Sequence, residues 1–263
     1  MLSYCANQVK QANRFDFQLC LFAGSKDQEA LFSLFAFDQE VAKIPLVTSE
    51  SITGLIRLQW WQDAIDEIYG GTPRKHPVVE ALAETVCSRD LPKELFDLYL
   101  QHREWELEPE DKASSVVITD YFDQVFGGFH HILLLTLRPD ADKHLIAQAR
   151  NVGATWGSLN LLAQLVAANQ PKDQRLVVIE GGEQLEGNFQ VLPDFLKTRL
   201  LEEPLGLAKA PNKLAPVFGR SLANQSCLKL VRSDQAEALP RELSKLAQQG
   251  AALRLTWYRM TGR

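Results

Sequence analysis

The chain has 263 residues and a mass of 29.6 kDa, with 46% hydrophobic and 23% charged residues. That balance excludes a disordered chain, a collagen-like chain and a small disulfide scaffold. The formal net charge is −5, so the basic surplus of a nucleic-acid binder is missing and no nucleic-acid partner is expected.

The first residues, Met1-Leu2-Ser3-Tyr4-Cys5-Ala6-Asn7, show no basic region ahead of an apolar stretch, and no secretory signal is expected. Ser25-Lys26-Asp27-Gln28 has the form of a capping box. An apolar stripe at Leu31, Leu34, Phe37, Val41 and Ile44 then keeps helical spacing, and Pro45 is expected to end that helix. A second helix is predicted from about Ser49 or Ser51, with its stripe at Leu58, Trp61, Ile65 and Ile68, stopped by Gly70-Gly71-Thr72-Pro73. Further helices are predicted over 77–87 and 93–107. The acidic run from Glu104 to Asp111 reads as a solvated helix end and loop.

Thr119-Asp120 can cap a long helix through Leu137, with Gly127-Gly128 inside it as a mark of close packing. Another helix is predicted over 141–168, carrying the small residues Gly153, Gly157 and Ser158. The segment 174–193 suits short strands or an extended flap, and 200–216 reads as a loop. Two last helices are predicted over 216–231 and 233–258. One all-α domain spanning 1–263, with a loop-rich segment at about 171–216, fits this order better than two domains.

The four cysteines, Cys5, Cys20, Cys87 and Cys227, lie far apart with no zinc spacing, and are expected as reduced thiols. The longest apolar run, Ile132-Leu133-Leu134-Leu135, is far short of the roughly 20 residues of a membrane span. Asp63 and Asp66 share a helix face but lie opposite the apolar stripe, so a solvated face explains them better than magnesium. His130-His131 reads as a core histidine beside an exposed one. No phosphate loop and no nucleophile elbow is present.

The stretch Ala30-Leu31-Phe32-Ser33-Leu34-Phe35-Ala36-Phe37, followed by Gly54-Leu55-Ile56-Arg57-Leu58-Gln59-Trp60-Trp61, resembles the squalene/phytoene synthase family. The likeness continues through His76–Leu82, Tyr121–Leu137 and Val152–Leu162, and covers roughly residues 15–191. It implies an all-α isoprenoid synthase bundle around a central cavity, in which two aspartate-rich helices hold magnesium against a prenyl diphosphate. This sequence departs from that pattern. Laid without gaps from Phe35-Ala36-Phe37, the aspartates of the family's DDxxD motif fall on Ala42, Lys43 and Leu46. The second motif begins at Asn160; its arginine becomes Ala163 and its aspartates become Gln164 and Ala168. Asp38, Ala42, Lys43, Leu46, Asn160, Gln164 and Ala168 are therefore expected to line the cavity, with no catalytic residue, no metal and no cofactor.

Arg57-Leu58-Gln59-Trp60-Trp61 with Ala64, Glu67-Ile68-Tyr69, Pro73 and His76-Pro77-Val78 is more closely similar to the complex I assembly factor 6 family and its bacterial relatives. That likeness implies a non-catalytic role with complex I subunits or assembly intermediates as partners. It also implies a cytoplasmic location, peripheral at the inner membrane, on the matrix side in a eukaryote. Two alternatives stand beside it. One is an active prenyl-diphosphate-condensing transferase using Mg2+ on a displaced set such as Asp38 with Asp63. The other is a helical protein whose cavity takes an apolar lipid or quinone. The C-terminal residues Leu253, Leu255, Trp257, Tyr258 and Met260, interleaved with Arg254, Arg259 and Arg263, suit either a docked last helix or a contact with a membrane surface.

Overall fold

In the computed structural model the residues described are 2–48, 50–107, 115–168, 196–197, 200–201 and 214–250. The predicted flap at 174–193 and the aromatic–arginine segment from Leu253 lie outside them, as does nearly all of the predicted loop at 200–216. Among the described residues there is no strand.

Two short helices open the chain, α1 (Tyr4–Ala12) and α2 (Arg14–Leu21). Neither is announced by a long apolar stripe; both are set by caps. The Ser3 hydroxyl accepts from the Ala6 amide at 3.1 Å, and Asn13 Oδ1 accepts from the amides of Phe15 and Asp16 at 2.9 and 3.2 Å. Helix α3 (Ser25–Ala42) follows. Its N-cap is Gly24, so the expected Ser25/Gln28 capping box does not form. The Gln28 amide instead donates to the carbonyls of Leu21 and Ala23, tying back the turn before the helix. Helix α3 ends at Ala42, and Pro45 sits in the first turn of a four-residue helix, α4 (Ile44–Val47), where its missing N–H costs nothing.

Helix α5 (Ser51–Tyr69) ends as expected, with Gly70 as cap and Gly71 at φ +78°. Helix α6 is Pro77–Arg89 and α7 is Lys93–Arg103, which tightens into a 3-10 turn over Glu104–Glu106. The helix predicted from Thr119 begins earlier, as α8 (Ser115–Tyr121). It widens into a π-helical segment over Phe122–Gly127 and resumes as α9 (Gly128–Leu137). Helix α10 (Lys143–Ala168) starts under Asp142, whose Oδ1 accepts from the Leu145 amide at 2.8 Å. The predicted helix over 216–231 is two pieces, α11 (Ala215–Phe218) and α12 (Arg220–Arg232), and the last described helix is α13 (Leu239–Gln249).

Helix α9 is the middle of the packing. It lies against α3 on one side and α10 on the other, with α7 and α11 also against it. Its apolar run therefore faces protein on several sides, which explains why Ile132, Leu133 and Leu134 are all fully buried. Around α3 stand α1, α2 and α6; around α10 stand the π segment, α12 and α13. Both predicted stripes face this core: Leu31, Leu34, Phe37, Val41 and Ile44 from α3–α4, and Leu58, Trp61, Ile65 and Ile68 from α5. Aromatic rings fill much of the centre, with Phe35 edge-on to Phe129 at 5.4 Å and Phe37 edge-on to Trp61 at 5.3 Å. Cys5, Cys20 and Cys227 are buried and Cys87 is exposed, none of them in a disulfide.

Candidate functional site

The two runs expected to face each other across a cavity lie on α3–α4 and α10, with α9 packed against both α3 and α10. The structure separates their members. Asp38 turns inward. Ala42 and Asn160 are half-buried, and the Asn160 amide donates back to the Trp156 carbonyl at 2.7 Å. Lys43 is exposed and pairs with Glu40, Leu46 is 59% exposed, and Gln164 is exposed. The Ala168 side chain lies outside the described residues.

What gathers around Asp38 is a buried charge network. Asp38 Oδ1 accepts from the Tyr99 hydroxyl at 2.7 Å and from the Arg103 guanidinium at 3.2 Å. The same guanidinium reaches Glu106 at 2.6 Å, and the Tyr121 hydroxyl donates to the same Glu106 oxygen. Arg103 is only 6% exposed. The acidic run is thus not all solvated: Glu104 is exposed, but Glu106 turns in as the second counter-ion of a buried arginine. Burial pushes the hydroxyls of Tyr99 and Tyr121 well above their ordinary range, so both remain protonated donors.

A second network links α2, α9 and α12. Arg220, at 4% exposure, donates to Asp16 Oδ1 at 2.8 Å and lies 3.3 Å from His130 Nε2. Its guanidinium is 5.4 Å from the centre of the Phe35 ring and 5.2 Å from that of Trp156. Burial raises the Asp16 carboxyl, against the pull of Arg220. Burial, with Arg220 beside it, holds the His130 imidazole well below its usual 6.5. His130 is the core histidine that the sequence predicts; His131 is half-buried rather than exposed.

A magnesium clamp needs carboxylate oxygens free to meet a hard cation in octahedral geometry. The interior carboxylates do not fit that requirement, because Asp16, Asp38 and Glu106 are each already bound to a guanidinium. Asp63 and Asp66 lie on the exposed face of α5, Asp63 accepting from Gln59 and Asp66 paired with Lys93 at 2.9 Å. Among the described residues no group of three or more His, Cys, Asp or Glu side chains could hold a metal ion.

Sequence reasoning missed Arg103 and Arg220. For Arg103 a signal exists: Tyr99, Arg103 and Glu106 stand at helical spacings of four and three. For Arg220 none does, since its partner Asp16 is 204 residues away.

The family model for squalene/phytoene synthase matches residues 10–175. Among curated proteins, the bovine protein named NADH dehydrogenase (ubiquinone) complex I, assembly factor 6, is 24% identical over 159 residues, which is 60% of this chain and 47% of that one. The human protein of the same name is 23% identical over the same length. The chain thus spans about half the length of the curated relatives it matches. Among solved structures, a dehydrosqualene synthase superposes with a TM-score of 0.63 at 13% identity, over 94% of this chain and 96% of that one. The squalene synthase HpnC from Alicyclobacillus acidocaldarius gives 0.57 at 14% identity, over 98% and 92%. These superpositions show the isoprenoid synthase fold.

Proposed function

The chain belongs to the squalene/phytoene synthase family, and from that premise we propose that it is a non-catalytic member that acts in the assembly of respiratory complex I. The observation that carries the reading is its similarity, over 60% of its length, to proteins named as complex I assembly factors. The charge networks support the non-catalytic half. In the ungapped register, Ala42, Lys43, Leu46, Gln164 and Ala168 would replace the metal-binding aspartates of the family motifs, which supports the same half. The carboxylates that do point inward would have to give up a buried guanidinium to receive magnesium. Breaking a buried pair by removing one partner costs about 3–5 kcal/mol, which a cation site would have to recover first. No cofactor is assigned.

The partners would be complex I subunits or assembly intermediates, met at the surface of the inner membrane. No described helix is long and apolar enough to cross a membrane, so contact there would be peripheral. Two assays test the reading together. In a strain lacking the chain, complex I content should fall and isoprenoid products should be unchanged. The purified chain, given farnesyl or geranylgeranyl diphosphate with magnesium, should yield no C30 or C40 hydrocarbon. Magnesium-dependent product would establish the transferase instead. Unchanged complex I content, with a lipid or quinone retained in native mass spectrometry, would establish the binding protein.

A further inference from the structure

The outer side of α4 and α5 carries an unusual concentration of exposed apolar side chains. Among the described residues ten large apolar side chains are exposed, and five of them fall between positions 46 and 60: Leu46, Val47, Ile52, Ile56 and Trp60. Scattered singles need no explanation, but a cluster does. Ile52, Ile56 and Trp60 stand four residues apart and form one stripe on α5, at 64%, 66% and 36% exposure. Helix α4, carrying Leu46 and Val47, packs against α5 and widens the stripe at its start. The opposite side of α5 is the buried Leu58–Trp61–Ile65–Ile68 stripe, so this helix is apolar on two faces and only one is covered.

Trp60 is held rigid at the far end. It meets Trp61 edge-on at 5.0 Å and His76 at 5.5 Å, and the Arg74 guanidinium lies 4.6 Å from the centre of its ring. Arg74 is itself fixed by two 2.7 Å bonds to Glu67. A half-exposed tryptophan whose rotamer is already fixed loses little entropy on binding, which is how an interface anchor is built.

The rim chooses the occupant. Lys43 is neutralised by Glu40, Arg74 by Glu67, and Asp63 accepts from Gln59. Among the described residues of this face, Glu50, Asp63 and Arg57 remain without an ion pair, one cation against two anions. An anionic lipid surface needs a surplus of free cations, and this face has none. A second copy laid on the same stripe about a two-fold axis near Ile56 would bring Arg57 beside its own twin. We propose that the α4–α5 face docks an amphipathic helix of a partner protein, apolar along one side and carrying an acidic residue opposite Arg57. This proposal rests on the assembly reading, and names the surface through which it would act.

The test uses the full chain in a host that makes it. A benzophenone amino acid at position 56 is photo-activated, and the crosslinked peptide is sequenced. The expected product is one partner peptide with helical apolar spacing and an acidic residue. Arg57→Glu should cut its yield at least about tenfold, and charge reversal on the partner should restore it. Ile52→Asp and Ile56→Asp, both at open positions, should leave the melting temperature unchanged and fail to rescue complex I content in the deletion strain. Full rescue by both would overturn the surface while leaving the assembly reading intact. A partner crosslink abolished by the variants, in a strain whose complex I never depended on the chain, would keep the surface and remove the assembly reading. A dimer mass in sedimentation that Ile56→Asp dissolves would overturn the proposal in favour of a second copy. So would variant-sensitive flotation on phosphatidylcholine vesicles with 30% phosphatidylserine, in favour of the membrane.

Discussion

Arg220 shows what a single buried charge does to this protein. It pairs with Asp16 across 204 positions of sequence, and both side chains are out of water. Arg220→Met should strand the Asp16 carboxyl and cost about 3–5 kcal/mol in urea unfolding. Asp16→Leu combined with Arg220→Met should recover most of that loss, because replacing both partners removes the unpaired charge. A double variant as unstable as Arg220→Met would mean that the guanidinium acts chiefly through Phe35 and Trp156. His130, beside it, sets a pH dependence. The unfolded chain takes up a proton at His130 near pH 6.5, while the folded chain does not, since burial and Arg220 hold this imidazole well below that value. Below pH 6.5 the unfolded state therefore binds more protons, and stability falls as pH falls, by up to about 1.4 kcal/mol per pH unit from this group. His131, lowered by partial burial and by Arg150, adds in the same direction. His130→Gln should flatten the fall between pH 6.5 and about 5; an unchanged slope would show that other groups carry it.

Among the described elements the π segment and α10 make the most extensive contact. A Cβ on Gly153 would stand 2.1 Å from the Phe126 carbonyl oxygen, and one on Gly157 would stand 2.3 Å from the Phe126 ring. Arg150 holds the same turn, donating to the Asp123 carbonyl at 3.1 Å and to the Asp123 carboxylate at 2.6 Å. Gly153→Ala must push backbone and should cost about 1–3 kcal/mol or more. Gly128→Ala meets nothing within 4 Å and should raise stability by about 0.5–1 kcal/mol through helix propensity alone. Thermal melts of the two variants moving in the same direction would contradict this packing. Of the Gly127-Gly128 pair read as a close-packing mark, Gly127 is one, its added Cβ standing 3.1 Å from the Arg150 carbonyl oxygen, and Gly128 is not; the π turn, which depends on an arginine 27 residues away, is not announced at all. The same division runs through the molecule. Long stripes such as Leu31–Val41 and Leu58–Ile68 are legible because one periodic face fixes each helix. Helices α1 and α2 are too short for a stripe and are not predicted; their caps, Ser3 and Asn13, emerge only in the structure. Asp38 is legible as the inward acid of its run, but its role is not: the expectation of a wall stripped of its carboxylates omits Tyr99 and Arg103, which arrive from 61 and 65 residues away.

At the scale of the molecule, the described ends of the chain are interlocked rather than appended. Helix α1 packs on α3 and α6 and buries Cys5, Ala6 and Val9, while α2 packs on α13 near the other end of the sequence. Arg220 on α12 closes the same junction through Asp16 on α2. A Cβ added to Gly250 would collide with the Gln18 side chain, so the turn after α13 also lies on α2. Contacts of such long sequence separation give no half of the chain a core of its own, and one cooperative unfolding transition is therefore expected. Far-ultraviolet circular dichroism reports all helices, whereas tryptophan fluorescence reports the surroundings of Trp60 and Trp61 on α5, Trp105 in the 3-10 turn, Trp156 on α10, and Trp257. The two probes should give the same urea midpoint. Removing residues 1–13 should lower it for both together, because the faces of α3 and α6 that α1 covers would meet water. Separate midpoints for the two probes, or a truncation that shifts one and spares the other, would divide the chain into independent units and count against a single domain.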